Sequence, residues 1–423
     1  MIKEKKELKN YLLIWLIAFS LFARFSLIYF FKDTYVDLDL YSTSVNEWNI
    51  LLENLVNYKS YSFYNFDNQL IPSVYMPPIY PFFLYSVKVI TSFENTNFLY
   101  VIIFIQIILS TYSVYLFYQI NQNFFSNKLS LVNSFIYSFL PLNIYACGQI
   151  SSINLQIIFS LLFIKFLLKL IKKEELKNII YLSIVSGLLV LTRGEFILIF
   201  LITIFFLAFS KKIKISNLLK IILIVSLIIS PYMVRNYLHF NQIFIVKSLG
   251  YNLWKGNNEL SAVQGYENYA NVKFVKLDQQ LNKVEKNKYY EINRDNIFLN
   301  EAKNNLKIDP LRYISLFVQK FFSFYFIDFN STYLNYFNAF NIIPIALISI
   351  LSFPGLFLFV GKKNILNNYL IFYLFLNLAI FSVFFILPRY KLIILPIQIM
   401  LATYAIAYLL KKISNNKNNI DTN

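Results

Sequence analysis

Apolar runs long enough to cross a hydrocarbon core recur along most of this chain, and they constrain its fold more than any other feature. They cover residues 11–31, 98–118, 129–146, 153–171, 179–192, 196–210, 218–233, 342–360, 369–387 and 392–410. A lipid core needs about 20 apolar residues in a row, and without water only a helix or a closed barrel satisfies its own backbone groups. The expected fold class is an all-α polytopic membrane protein with about ten transmembrane helices. Composition agrees, because 57% of the 423 residues are hydrophobic and only 14% are charged, against roughly 25% charged in soluble domains.

The short loops set the topology. Lys3, Lys5, Lys6 and Lys9 precede the first run, and further lysines fall at 172, 173 and 177, at 211, 212 and 214, at 362 and 363, and at 411 and 412. Cytoplasmic loops keep such residues. All five groups share one side only if residues 77–90, a short run opened by two prolines and interrupted by Lys88, do not cross. That stretch therefore reads as an amphipathic juxtamembrane helix. The first run lacks a small-residue cleavage pattern and reads as a retained span.

Both termini are then expected in the cytoplasm of a plasma-membrane protein. Outside lie 32–97, 147–152, 193–195, 234–341 and 388–391. Three regions follow: a transmembrane module over 1–236 with the outer loop 32–97, an extracytoplasmic cap over 237–341, and C-terminal helices with a cytoplasmic tail over 342–423. Within the cap, 250–258 reads as turn-rich backbone, 286–306 as a polar helix ended by Pro310, and 311–329 as an aromatic helix.

A formal charge of +17 would suit nucleic acid, but the lysines sit in short clusters between spans and no nucleic-acid partner is expected. One Cys147 and one His239 exclude disulfide frameworks, cysteine zinc sites and histidine chemistry, so acid–base work falls to carboxylates.

The outer segments hold the unusual polar residues. Asp37 and Asp39 follow the first run directly, and Tyr41 comes four residues after Asp37, one helical turn on. Asp37 reads either as a solvated loop acid or as a general base, a role worth roughly 10²- to 10⁴-fold in rate. Asp39 reads as a sugar ligand, or as half of a divalent-metal site with Asp37; no cofactor is required by the pattern and that ion stays open.

Tyr75, Pro77, Pro78, Tyr80 and Pro81 combine a stiff backbone with flat phenolic rings, suited either to a ring-shaped ligand or to an interfacial helix start. Arg193 and Glu195 flank Gly194 at a hairpin tip, as an anion site or a plain ion pair. Arg235 and Asn236 close a proline-kinked span, and Arg389, Tyr390 and Lys391 sit before the last one. Each set reads alone as interfacial anchoring. Together they place three arginines and a lysine against the charge bias, where a lipid phosphate would account for them.

The ordered set Asp37 with Tyr41, Tyr75-Met76-Pro77-Pro78-Ile79-Tyr80-Pro81, Leu191-Thr192-Arg193-Gly194-Glu195, Pro231-Tyr232-Met233-Val234-Arg235-Asn236-Tyr237, Tyr251-Asn252-Leu253-Trp254-Lys255-Gly256-Asn257-Asn258 and Arg389-Tyr390-Lys391 spans nearly the whole chain. It resembles the glycosyltransferase family 39 type of GT-C membrane enzyme, akin to protein O-mannosyltransferases and the aminoarabinose transferase of lipid A. The resemblance implies a GT-C fold, a polyprenyl-phosphate-linked sugar donor, inverting transfer outside the membrane, and Asp37 as the catalytic acid. Leu38 stands where many relatives have Glu, and Gly194 where they have Pro.

The expected partners are that donor, a glycan, lipid or protein acceptor, and membrane lipids. Alternatives are a glycan polymerase or ligase with a similar donor, and a transporter or flippase. The last would concentrate ionisable groups near the midplane, whereas here they gather at one face.

Overall fold

The computed structural model describes residues 2–31, 46–91, 95–332, 338–360 and 364–420. Asp37, Asp39 and Tyr41 lie outside the described residues. Helix α1 (Ile2–Phe30) carries the first apolar run, and α2 (Asn46–Tyr58), strands β1 (Ser62–Phe66) and β2 (Gln69–Pro72), and α3 (Ile79–Thr91) form the outer loop. The bundle continues through α4 (Asn95–Asn121), α5 (Asn127–Ser138), α6 (Pro141–Gly148), α7 (Ile153–Lys172), α8 (Leu176–Thr192), α9 (Phe196–Ser210) and α10 (Ile215–Phe240). The cap comprises α11 (Leu249–Gly256), α12 (Val275–Asn282), α13 (Tyr290–Ile308) and α14 (Pro310–Tyr325), and α15 (Ala339–Val360), α16 (Ile365–Val383) and α17 (Lys391–Ile420) complete the chain.

Every apolar run is helical over most of its length, and the count of crossings is refined. Among the described residues seven helices, α1, α4, α7, α10, α15, α16 and α17, are long and apolar enough to cross. The run 129–146 is instead a bent pair, α5 and α6 meeting at 52°, with the form of a broken span or a re-entrant loop. Pro141 opens α6, and a proline has no N–H with which to continue the preceding helix. Helices α8 and α9, 17 and 15 residues long, reach about 22–25 Å at 1.5 Å per residue, short of a core about 30 Å thick. The polar tip at 193–195 and the lysine turn at 211–214 cut both short. Burial ranks the helices: the apolar windows of α7, α16 and α17 are 72% buried, against 17% for α1 and 22% for α10. The former make the centre and the latter the lipid-facing edge. Inside the bundle, α15 and α17 approach until a Cβ on Gly355 would lie 2.0 Å from the Leu401 carbonyl oxygen, the close approach that small residues permit between membrane helices.

The two ends of the bundle differ chemically. At one end the lysine-bearing turns meet, with Glu174 accepting from the Lys214 amide at 3.1 Å and Asn217 Nδ2 at 2.6 Å, and Lys172 donating to Asn123 at 2.7 Å. The other end carries the hairpin and the cap. The hairpin was not expected in a loop read as helical. Its turn places Asp67 and Asn68 at φ of 49° and 63°, the left-handed pair that a tight two-residue hairpin requires and that Asp and Asn tolerate best after glycine.

The cap also corrects one expectation, since most of 250–258 is helix α11 rather than turn. Its end docks on the unwound end of α16. Asn257 Nδ2 donates to the Val383 carbonyl at 2.8 Å, Ile386 N donates to Val263 O at 2.9 Å, and the fully buried Lys320 of α14 donates to Gly256 O at 2.6 Å and Asn257 Oδ1 at 3.1 Å. The motif around Trp254 and Gly256 thus fastens cap to bundle. The polar and aromatic cap helices expected on either side of Pro310 are α13 and α14, with Asp309 capping the latter by accepting from Arg312 N.

Candidate active site

The segment between β2 and α3 carries the proline-rich motif. Tyr61 donates its hydroxyl to the Met76 carbonyl at 2.8 Å, and Lys247 N donates to Val74 O at 2.8 Å. Held this way, Tyr75 sets its ring against Tyr251 of α11, centroids 6.0 Å apart. Dehydration pushes its phenol well above the usual range, and the charge of Glu47 adds to the shift. Tyr75 therefore stays protonated, a donor on the wall of a recess. Pro78 is buried and its carbonyl accepts from Phe82 N at 3.0 Å at the start of α3. Tyr80 is 1% exposed and meets the Trp48 ring edge-on at 4.8 Å, so it packs α2 on α3 rather than lining a cavity as expected.

Two cations stack along the opposite wall. Arg193, the residue that ends α8, lies over the Tyr390 ring at 5.1 Å, and Lys255 of α11 lies over Phe385 at 4.8 Å. Tyr390 and Phe385 are neighbours, 6.2 Å between centroids. Each cation has an acid, Glu195 at 3.0 Å from Arg193 Nε and Glu267 on Lys255. The guanidinium is thus held between the Glu195 carboxylate and the Tyr390 ring. Dehydration would lower its pKa, yet Glu195 and Tyr390 outweigh that and raise it. The hairpin tip thus holds a permanently charged, rigidly oriented arginine.

Glu47, in the first turn of α2, joins the two walls. The residue is exposed by surface area, yet dehydration raises its carboxyl above the usual range, opposed by Lys255 and Arg389 and reinforced by Glu267. The carboxyl thus lies among Lys255, Arg389, Tyr75 and Tyr251, at the protein surface. Sequence reasoning missed Glu47 and gave Lys255 no role. A place in the same outer loop as Asp37 and Asp39 was the available signal for the first, and a place inside the 251–258 motif for the second.

Two expected phosphate ligands have other occupations. Lys391 is buried and its ammonium donates to the carbonyls of Phe324, Tyr325 and Phe326. An ammonium has three protons, so these carbonyls at the end of α14 saturate it and leave none for a lipid phosphate. Arg235 donates from Nη1 to Ser73 O at 2.7 Å and Asn236 Oδ1 at 2.9 Å, and from Nη2 to Tyr61 O at 3.2 Å. It acts on the main chain of the outer loop. Asn236 is also structural, donating to Phe244 O at 3.0 Å and Ile245 O at 3.2 Å. Arg389 sits half-buried in the turn Pro388–Tyr390, where Glu47 senses its charge.

A further cation escaped notice inside a span. Arg24 is fully buried in α1 and donates to Ser110 Oγ at 3.0 Å and Ser20 O at 3.3 Å, tying α1 to α4. Among the described residues no group of three or more His, Cys, Asp or Glu could hold a metal ion.

The family model for dolichyl-phosphate-mannose-protein mannosyltransferases matches residues 76–234. That stretch takes in Pro78, Tyr80, Arg193 and Glu195. No curated protein sequence matches the chain significantly. Among solved structures, the archaeal oligosaccharyltransferase AglB from Archaeoglobus fulgidus, in complex with an inhibitory peptide and a dolichol-phosphate, is 13% identical with a TM-score of 0.54, over 99% of this chain and 52% of that one. The A. fulgidus oligosaccharyltransferase tethered to an acceptor peptide with the NVT sequon is 13% identical with a TM-score of 0.55, over 96% and 50%. In complex with Zn and sulfate it is 14% identical with a TM-score of 0.54, over 94% and 49%. The chain spans about half the length of these proteins. The likeness is one of fold: the chain has the GT-C fold, built on several helices long and apolar enough to cross a membrane.

Proposed function

We propose that this chain, a GT-C membrane protein, moves a sugar from a polyprenyl-phosphate-linked donor to an acceptor hydroxyl on the extracytoplasmic face, with inversion. The acceptor oxygen attacks the anomeric carbon, its proton passes to the Asp37 carboxylate, and the bond from that carbon to the phosphate oxygen breaks. Polyprenyl phosphate leaves. The observation that carries the reading is Arg193, stacked on Tyr390 and charge-balanced by Glu195 at the mouth of the recess. A preorganised cation contributes most where charge grows on a leaving group, and the guanidinium plane suits a phosphate.

Lys255 and Arg389 share that wall and would extend the cationic surface. Tyr75, Tyr251 and Glu47 form the side that would face the sugar and acceptor. Arg235, Asn236, Tyr80 and Lys391 build the frame. Both termini lie in the cytoplasm, on the side of the lysine turns. Asp39 and Tyr41 would flank the base, and a divalent ion shared by Asp37 and Asp39 is tested by adding a chelator to the assay below.

The test is turnover by protein reconstituted in vesicles and given a panel of polyprenyl-phosphate sugars, with released polyprenyl phosphate as the readout. Asp37→Asn and Arg193→Ala are expected to abolish release in protein that folds normally. Full release by Asp37→Asn, or lipid-linked sugar crossing the bilayer without release, would sink the assignment.

A further inference from the structure

The recess wall at Tyr75 is placed by residues far from it in sequence. Ser73 and Val74 lie between two charged side chains of opposite sign. On one side Glu291 of α13 accepts from Ser73 Oγ at 2.8 and 3.1 Å and from Val74 N at 2.6 Å. On the other, Arg235 of α10 donates to the Ser73 carbonyl at 2.7 Å. The anion takes the Ser73 hydroxyl and the Val74 amide and the cation takes the Ser73 carbonyl, while Ser73 N donates to Tyr61 O and Val74 O accepts from Lys247 N, each at 2.8 Å. Ser73, Val74 and Glu291 are all buried.

The Val74 side chain, fully buried, packs with Ile292 beside Glu291 and with Phe240 at the end of α10. The next amide, Tyr75 N, lies 3.4 Å from Ser73 Oγ. The backbone on either side of Tyr75 is therefore held, while its ring projects to Tyr251.

We infer that Glu291 is a positioning residue, through which the cap sets the place of Tyr75 in the recess. The carboxylate is needed as such. It offers acceptor oxygens to two donors at once, whereas an amide offers one oxygen, so that either the Val74 amide and the Ser73 hydroxyl share it or the hydroxyl turns to accept from the N–H₂ and gives up its present orientation. A carboxylate buried without a paired cation is costly unless its hydrogen bonds are complete, and here burial raises the carboxyl pKa while the Val74 and Ser73 donors pull it back. The cap thus serves the site by gripping its wall. The part played in turnover rests on the function proposed above; the clamp itself does not.

Hydrogen exchange followed by mass spectrometry on the full chain in vesicles separates the two. Glu291→Gln is expected to speed exchange of the peptide covering residues 72–78 by about tenfold, the effect of replacing a charged acceptor by a neutral one that must be shared or reoriented, while peptides of α13 and the hairpin keep their rates. In the turnover assay the same variant loses about 100-fold in kcat, the scale of a small misplacement at a reacting centre. The donor KM stays within about threefold, because the lipid phosphate is held at the Arg193 wall.

Unchanged exchange at 72–78, or faster exchange spread across the whole cap, overturns the clamp. Local exchange with unaltered kcat overturns its role in turnover. Wild-type protein that turns over no donor counts against the proposed function and leaves the exchange result to decide the clamp. Should Glu291→Gln fail to accumulate, Ser73→Ala, which deletes one of the two donors, is read by the same criteria.

Discussion

Alanine at Gly256 tests whether the cap is fastened to the bundle at the point the geometry indicates. A Cβ there would lie 1.9 Å from the Phe384 carbonyl oxygen and 2.4 Å from its carbon. Real Cβ contacts essentially never fall below 3.0 Å, so α11 and the end of α16 must part by more than an ångström. No rotamer change relieves the clash, because the obstacle is main chain. Parting strains the Asn257 to Val383 bond of 2.8 Å and the Lys320 to Gly256 bond of 2.6 Å. Overpacking of about 1–3 kcal/mol together with two weakened hydrogen bonds at about 1 kcal/mol each gives a loss of about 3–5 kcal/mol.

Gly187→Ala is the control. Its Cβ would meet only the Ile228 side chain, at 2.6 and 2.9 Å. Rotation carries the Ile228 Cγ2 away, its Cβ at 2.9 Å needs only a shift of a few tenths of an ångström between α8 and α10, and alanine regains about 1 kcal/mol of helix propensity, so the net change stays below about 1.5 kcal/mol. The assay is thermal unfolding of protein in lipid nanodiscs, followed by fluorescence of the buried Trp254 and by protease cleavage of the cap. Gly256→Ala should melt several degrees below Gly187→Ala and expose the cap first. Equal melting of Gly256→Ala and wild type, or greater damage from Gly187→Ala, would refute the reasoning.

Arg193→Lys keeps the charge but loses the planar stacking on Tyr390; polyprenyl-phosphate release should drop about 100-fold, a size typical of one lost oxyanion donor, with unchanged melting temperature. Lys391→Met should instead cost about 3 kcal/mol of stability, since three carbonyls at the end of α14 lose a charged donor, and residual turnover per folded molecule should be retained. Burial drives the Lys320 ammonium down to about 7, from 10.5 when unfolded. The unfolded chain then binds more protons between those values, so stability rises as pH increases from about 7 toward 10, by on the order of 2 kcal/mol between pH 7 and 9. Lys320→Met should flatten that rise, and an equal rise in both proteins would show that Lys320 does not cause it.

The helices of the bundle were legible in the chain because span length and apolar content are local quantities. That residues 79–91 form a short helix, α3, was equally legible. The hairpin was local too, with Asp67 and Asn68 as its signal, but its strands are only five and four residues long, too short for a clear alternation. Arg193 with Glu195 could be read as a tip pair because the partners are two residues apart. What could not be read was that the ring beneath Arg193 is Tyr390, nearly two hundred positions away.

The sequence by itself determined a polytopic helical membrane protein, the broad order of its segments, and one set of outer polar residues distinct from the lysine turns. Only the tertiary structure sorted those residues. Arg193 is held by side chains, the Glu195 carboxylate and the Tyr390 ring, whereas Arg235 and Lys391 are engaged by backbone carbonyls and Glu291 by a backbone amide. Every residue carries such main-chain groups, so no letter in the sequence announces which of them a charged side chain will meet. Packing distant elements together decides it, and that same packing made Gly256 a fastening point and Glu47 part of the recess.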